Sequence, residues 1–104
     1  MSEKLKVVMI GAGGRANAAI YPSFADLRDE GLVDIVGICD IDPEKLNSTA
    51  DKFNIANRYG SNLYFYEYRK MIDEQKPDAA VVIGQPHIMY DIWMECLDRG
   101  LHLF

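Results

Sequence analysis

Short apolar runs alternate with longer amphipathic segments along this chain. That alternation is the pattern of βαβ units and a parallel sheet. Leu5–Ile10 is the first run, β-branched and apolar on both faces at its centre, as a buried parallel strand should be. It ends abruptly in Gly11-Ala12-Gly13-Gly14. A helical segment is predicted from there to about Glu30, with Ala16, Ile20, Phe24 and Leu27 on its buried face. Pro22 interrupts that pattern and is expected to kink the helix or split it in two. Gly31 is placed to end it. Val33–Cys39 is the second strand. Asp42 then resembles an N-cap, with Pro43 at the first helical position and Glu44 in the first turn. Leu46, Ala50 and Phe53 form that helix's apolar stripe.

Residues Asn54–Asn62 read as polar and irregular, followed by a short strand around Leu63–Phe65. Tyr68, Met71 and Ile72 mark another short helix, which Lys76-Pro77-Asp78 closes. Ala79–Ile83 is a further buried strand and Gly84-Gln85-Pro86 a turn. Met89, Ile92, Trp93 and Cys96 mark the last helix, with Trp93 expected in the core. Gly100 closes it, and Leu101–Phe104 reads as a strand just begun.

Composition narrows the function. The chain has 104 residues, the size of one domain. Apolar residues make up 49%, enough for a core and against intrinsic disorder. With 11 Lys+Arg against 16 Asp+Glu and a net charge of −5, no broad basic surface forms, which argues against nucleic acid as a partner. No apolar run approaches the ~20 residues of a membrane helix, and no signal-peptide core is present. Cys39 and Cys96 have no metal-ligand spacing and read as reduced residues of a cytoplasmic protein. No metal site is expected.

The sharpest chemical signal is Gly11-Ala12-Gly13-Gly14-Arg15-Ala16, which fits G-x-G-x-x-G/A. It has the required context of a buried strand before and a helix after. Gly11 permits the tight turn, Gly13 leaves room for a pyrophosphate, and small Ala16 lets helix and strand pack closely. Free amides at the helix start would hold the phosphates, and Arg15 would add a charge contact. Asp40 ends the second strand, 29 positions after Gly11. Its carboxylate would accept hydrogen bonds from an adenosine ribose. A 2′-phosphate would meet the negative charges of Asp40 and Asp42, so NAD is favoured over NADP. A P-loop is excluded, because G-x-x-x-x-G-K-[ST] is missing. Val8–Ile10 lacks the acidic residue that usually precedes a methyltransferase's glycine loop. Flavin dinucleotides share the fingerprint.

With these motifs in order, the chain resembles the N-terminal domain of the glucose–fructose oxidoreductase, inositol dehydrogenase and rhizopine-catabolism (Gfo/Idh/MocA) family. The resemblance rests on Val8–Arg15, on Ile38–Asp40 followed by Asp42–Lys45, on Lys76–Ile83, on Pro86–Ile92 and on Leu97–Phe104. It implies an α/β fold, a Rossmann-type doubly wound parallel sheet. It implies a nicotinamide-dependent dehydrogenase moving hydride to or from a hydroxyl carbon of a sugar or cyclitol. That small-molecule substrate class comes from the resemblance alone. The implied cofactor contacts are Gly11, Ala12, Gly13, Gly14 and Arg15 at the pyrophosphate, and Asp40 with Ile41 at the ribose. Gly84, Gln85 and Pro86 would lie on the nicotinamide side.

The departures are specific. Where the family commonly has Thr-Pro-Pro/Asn and a His three residues on, this chain has Gly84, Gln85, Pro86 and then Met89. The family's Glu-Lys-Pro motif would fall beyond Phe104, as would the substrate domain and every catalytic residue. Residues 1–104 are therefore expected to be the dinucleotide-binding part of a longer enzyme. The apolar edge at Leu101–Phe104 would favour self-association. The alternative is a non-catalytic module that senses NAD(H). Tyr59, Tyr64, Tyr66 and Tyr68 are read as packing rather than a sugar platform, His87 as a solvent-facing residue, and Asp26–Glu30 as a solvated helix end.

Overall fold

A computed structural model of the chain describes residues 4–11, 20–40, 42–60, 67–83 and 86–103. Among them run β1 (Leu5–Ile10), α1 (Tyr21–Asp29), β2 (Val33–Asp40), α2 (Pro43–Lys52), β3 (Arg58–Gly60), α3 (Glu67–Gln75), β4 (Ala79–Val82), α4 (Pro86–Asp98) and β5 (His102–Leu103). The five strands form one parallel sheet in the order β3-β2-β1-β4-β5. This is the Rossmann-type α/β architecture that the alternation predicts.

The strands alternate between two separate cores. Val7 and Met9 of β1 and Ala79 and Val81 of β4 face a layer that includes Tyr21, Leu46, Ala50 and Phe53 from α1, α2 and the α2 end. Val8, Ile10, Ala80 and Val82 face the opposite layer, with Tyr68, Met71 and Ile72 of α3 and Ile92 and Cys96 of α4. Both sheet faces are thus covered, which is why the strands read as near-continuous apolar runs. In β2 the alternation breaks. Val7 pairs with Ile35 but Val8 with Gly37, so Val36 is an extra, bulged residue. The bulge returns Ile38 to the face of Ile35 and leaves Cys39 on the other.

Pro22 falls at the start of the helix described here. It occupies the first turn of α1, where a missing N–H costs nothing. The preceding part of the expected helix lies outside the described residues. The end of α1 is solvated at Asp26, Asp29 and Glu30, while Arg28 Nη1 donates to the Phe53 carbonyl at 2.6 Å. Asp42 caps α2 as predicted, accepting from Glu44 N at 3.0 Å and Lys45 N at 3.4 Å. Asp42→Ala is expected to cost about 1 kcal/mol. It would appear as a lower urea midpoint with an unchanged slope.

Two expectations need correction. Asn54–Asn62 is not wholly irregular, because Arg58–Gly60 forms β3 against Ile38–Asp40. The strand expected at Leu63–Phe65 lies outside the described residues. Trp93 is not core. It is 39% exposed, beside the exposed Tyr90, Met94 and Leu97. Ile92 and Cys96, one turn apart, hold the sheet-facing stripe, and Trp93 is rotated ~100° from Ile92. Tyr59 and Tyr68 are buried as packing residues. Tyr64, Tyr66 and the side chain of His87 lie outside the described residues. Arg69–Glu95 and Arg99–Asp73, each at 2.5 Å, tie α3 to the α4 end on the surface.

Candidate dinucleotide site

The strand order places β1 at the centre. From β1 the chain winds outward through β2 to β3, then returns over the sheet to β4 on the other side of β1. The helix that follows β1, α1, packs on one face of the sheet and α4, which follows β4, packs on the other, so the topological switch point lies between the C-terminal ends of β1 and β4. Open α/β sheets bind ligands at this switch point.

Gly11 stands at that point, immediately after β1. Its N–H donates to the Cys39 carbonyl at 2.8 Å, which ties it to the end of β2. On the other side, Ile83 N donates to the Ile10 carbonyl at 2.8 Å. Gly11 adopts φ +108°, and a Cβ there would lie 1.9 Å from the Ile83 carbonyl oxygen. Only glycine fits, for both conformation and space. The first residue of the glycine motif thus has the structural cause that the motif supposes.

Asp40 ends β2 next to this turn and is buried. Its Oδ1 accepts the Asp42 N–H at 2.8 Å, an Asx turn that orients the carboxylate as the chain enters α2. Asp42 is itself engaged at the α2 cap. Pro86 begins α4 beyond the C-terminal end of β4. The structure therefore brings Gly11, Asp40 and the start of α4 to the same end of the sheet. Ala12, Gly13, Gly14, Arg15, Ile41, Gly84 and Gln85 lie outside the described residues.

The sequence reading did not single out Tyr21. Its hydroxyl donates to the Gly11 carbonyl at 2.6 Å, and its side chain is fully buried. Burial, then the nearby Asp40 and Cys39, push the phenol far above its ordinary range, so it remains a neutral donor. The only hint in the sequence is its place beside Ile20, on the buried face of the predicted helix. Cys39 and Cys96 are buried and are not joined in a disulfide. Burial and Glu95 push the Cys96 thiol up to about 11, with Arg99 opposing, so it is not an activated nucleophile.

A family model described as an oxidoreductase family with an NAD-binding Rossmann fold matches residues 5–104. The chain belongs to the Gfo/Idh/MocA family. This Gfo/Idh/MocA domain is 28% identical, over 97% of its length, to glycosyl hydrolase family 109 protein 2 of Akkermansia muciniphila. It covers 21% of that protein. Among solved structures it resembles the WlbA dehydrogenase of Chromobacterium violaceum, in complex with NADH and UDP-GlcNAcA. There the TM-score is 0.78 at 18% identity, over 98% of this chain and 27% of the other. It also resembles myo-inositol 2-dehydrogenase of Lactobacillus plantarum, with a TM-score of 0.75 at 19% identity, over 98% of this chain and 27% of the other. The domain thus spans about a fifth to just over a quarter of these relatives. Among its described residues no helix is long and apolar enough to cross a membrane, and no cluster of His, Cys, Asp or Glu has the arrangement of a metal site.

Proposed function

We propose that residues 1–104 form the dinucleotide-binding part of a cytoplasmic NAD-dependent oxidoreductase. Its reaction moves hydride between a hydroxyl-bearing carbon of a sugar or cyclitol and the nicotinamide. The observation that carries this reading is Gly11, held without room for a side chain at the switch point, beside the buried Asp40. In this reading Gly11 to Arg15 cradle the pyrophosphate on backbone amides, with Arg15 adding charge. Asp40 accepts from the adenosine ribose, and Ile41 belongs to the same cofactor-binding set. Gly84, Gln85 and Pro86 line the nicotinamide end. The bound nicotinamide supplies the hydride acceptor or donor, and the substrate-activating residues come from outside this segment. The same negative charge at Asp40, with Asp42 nearby, disfavours the 2′-phosphate of NADP.

A sugar-type substrate is supported by the names of the relatives, a UDP-sugar complex, an inositol dehydrogenase and a glycosyl hydrolase. The last of these favours a second reading, nicotinamide-dependent glycoside cleavage, a chemistry that some glycosidases use. Net oxidation accumulates NADH in step with product. Cleavage by such a route releases a leaving group with no net NADH.

The direct test is calorimetric titration of the folded chain with NADH and NADPH. Saturable binding with NADH tighter is expected. A folded chain that binds neither would overturn the proposal. Gly13→Val should abolish NADH binding while the circular dichroism spectrum stays that of the parent, because an isopropyl group would occupy the pyrophosphate's place.

A further inference from the structure

Asp42 takes up the backbone donors at the start of α2. Its carboxylate accepts from Glu44 N at 3.0 Å and Lys45 N at 3.4 Å, and its carbonyl accepts from Leu46 N at 2.9 Å. Pro43, at the first helical position, has no N–H to offer. The positive end of the helix is thus covered by a carboxylate of the chain itself. Asp42 is also held from the other side, because its own N–H donates to Asp40 Oδ1 at 2.8 Å. Consecutive hydrogen bonds therefore join Asp40, Asp42 and the first turn of α2. The side chains of Glu44 and Lys45 are exposed in that turn.

A cap of this kind stabilises a helix whether or not anything binds nearby. Its place argues for more. Asp40 is the proposed acceptor for the adenosine ribose, and Asp42 is its hydrogen-bonded neighbour. NADP differs from NAD by a phosphate on the 2′-oxygen of that ribose. Helix N-termini hold phosphates through backbone amides and the dipole. Here such amides lie one residue's hydrogen bonds away from the ribose acceptor, and Asp42 already occupies them. An arriving phosphate would meet a fixed negative charge and no amide to receive it.

We propose that Asp42 is a specificity-determining residue, a built-in anion that closes the start of α2 to the 2′-phosphate of NADP. Asp40 disfavours that phosphate by charge alone. Asp42 adds its own charge and withholds the donors that would offset both. This inference rests on the proposed dinucleotide site and deepens its preference for NAD.

The test is calorimetric titration of the parent, Asp42→Asn and Asp42→Gly with NADH and NADPH. The same proteins are titrated with 5′-AMP and adenosine 2′,5′-bisphosphate, which differ only in the 2′-phosphate. Asn still caps the helix but carries no charge. Gly costs little as a cap and vacates the amides. The preference for NADH over NADPH is expected to narrow about threefold in the Asn variant, by loss of charge. It should narrow about tenfold or more in the Gly variant, where Glu44 N and Lys45 N can donate to the phosphate. The mononucleotide pair should follow the same order. An unchanged preference in both variants would leave Asp42 as a helix cap and overturn the proposal. Equal narrowing in both would mean that charge alone discriminates, and would overturn it too. Should Asp42→Gly not fold, Asp42→Ser decides, since serine caps well and its neutral hydroxyl can turn aside. A preference in the Ser variant no narrower than in the Asn variant would then refute the role of the amides. A folded parent that binds neither cofactor is a different result, because it overturns the dinucleotide site itself.

Discussion

Gly11→Ala is expected to destabilise the fold by about 3–5 kcal/mol, the range of severe backbone and packing lesions. Two effects add. The residue sits at φ +108°, where an L side chain is strained. The new methyl would also lie 1.9 Å from the Ile83 carbonyl oxygen. That oxygen is backbone, so no rotamer change relieves the clash. Ile83 is pinned to Ile10, and β4 is paired with β1 from Val7 to Ile10. Moving either strand end breaks the ladder at the centre of the sheet. Gly31→Ala is the control. Gly31 also has positive φ, +79°, but a Cβ there meets nothing within 4 Å. Only the conformational strain applies, about 1–2 kcal/mol. Urea unfolding of the two variants should therefore differ by about 1–4 kcal/mol. Equal losses would mean that the approach of Ile83 is not what requires glycine at position 11.

The glycine at position 11 was legible because a backbone requirement leaves a residue-type signature. No other side chain tolerates that turn, so the motif and the geometry coincide. Asp40 was legible for a related reason, since it ends a strongly apolar strand and its type stands out. Asp42 and Pro43 were legible as local capping chemistry. Tyr21 was not. Its importance comes from a contact ten positions back, which helical spacing does not encode. An aromatic residue in an apolar stripe looks the same whether or not its hydroxyl holds a backbone carbonyl. β3 was missed because it offers one buried residue, Tyr59, between exposed Arg58 and Gly60. A single apolar position has no period. It becomes a strand because the edge of β2 supplies its partners. Trp93 was misplaced because α4 is apolar on more than one side. The pattern says that the helix has apolar faces, but the sheet decides which one is buried.

The second large effect concerns the choice between nicotinamide cofactors. Asp40→Ala is expected to weaken NADH binding by about ten- to a hundredfold, the range for losing hydrogen bonds to a charged acceptor. The margin of NADH over NADPH should narrow with it. Part of that loss is structural, because Oδ1 of Asp40 also accepts the Asp42 N–H at the entry to α2. Asp40→Asn separates the two contributions. An amide oxygen can still accept the Asp42 N–H, so the turn survives while the charge goes. If the carboxylate discriminates by charge, the Asn variant should bind NADPH more tightly than the parent does, since the 2′-phosphate no longer faces Asp40. NADH should bind it less tightly, having exchanged a charged acceptor for a neutral one. Calorimetric titration of parent, Asn and Ala variants with both cofactors measures the four ratios needed. If Asp40→Asn keeps the parent's preference, the discrimination comes from elsewhere, and Asp40 serves only to turn the chain into α2.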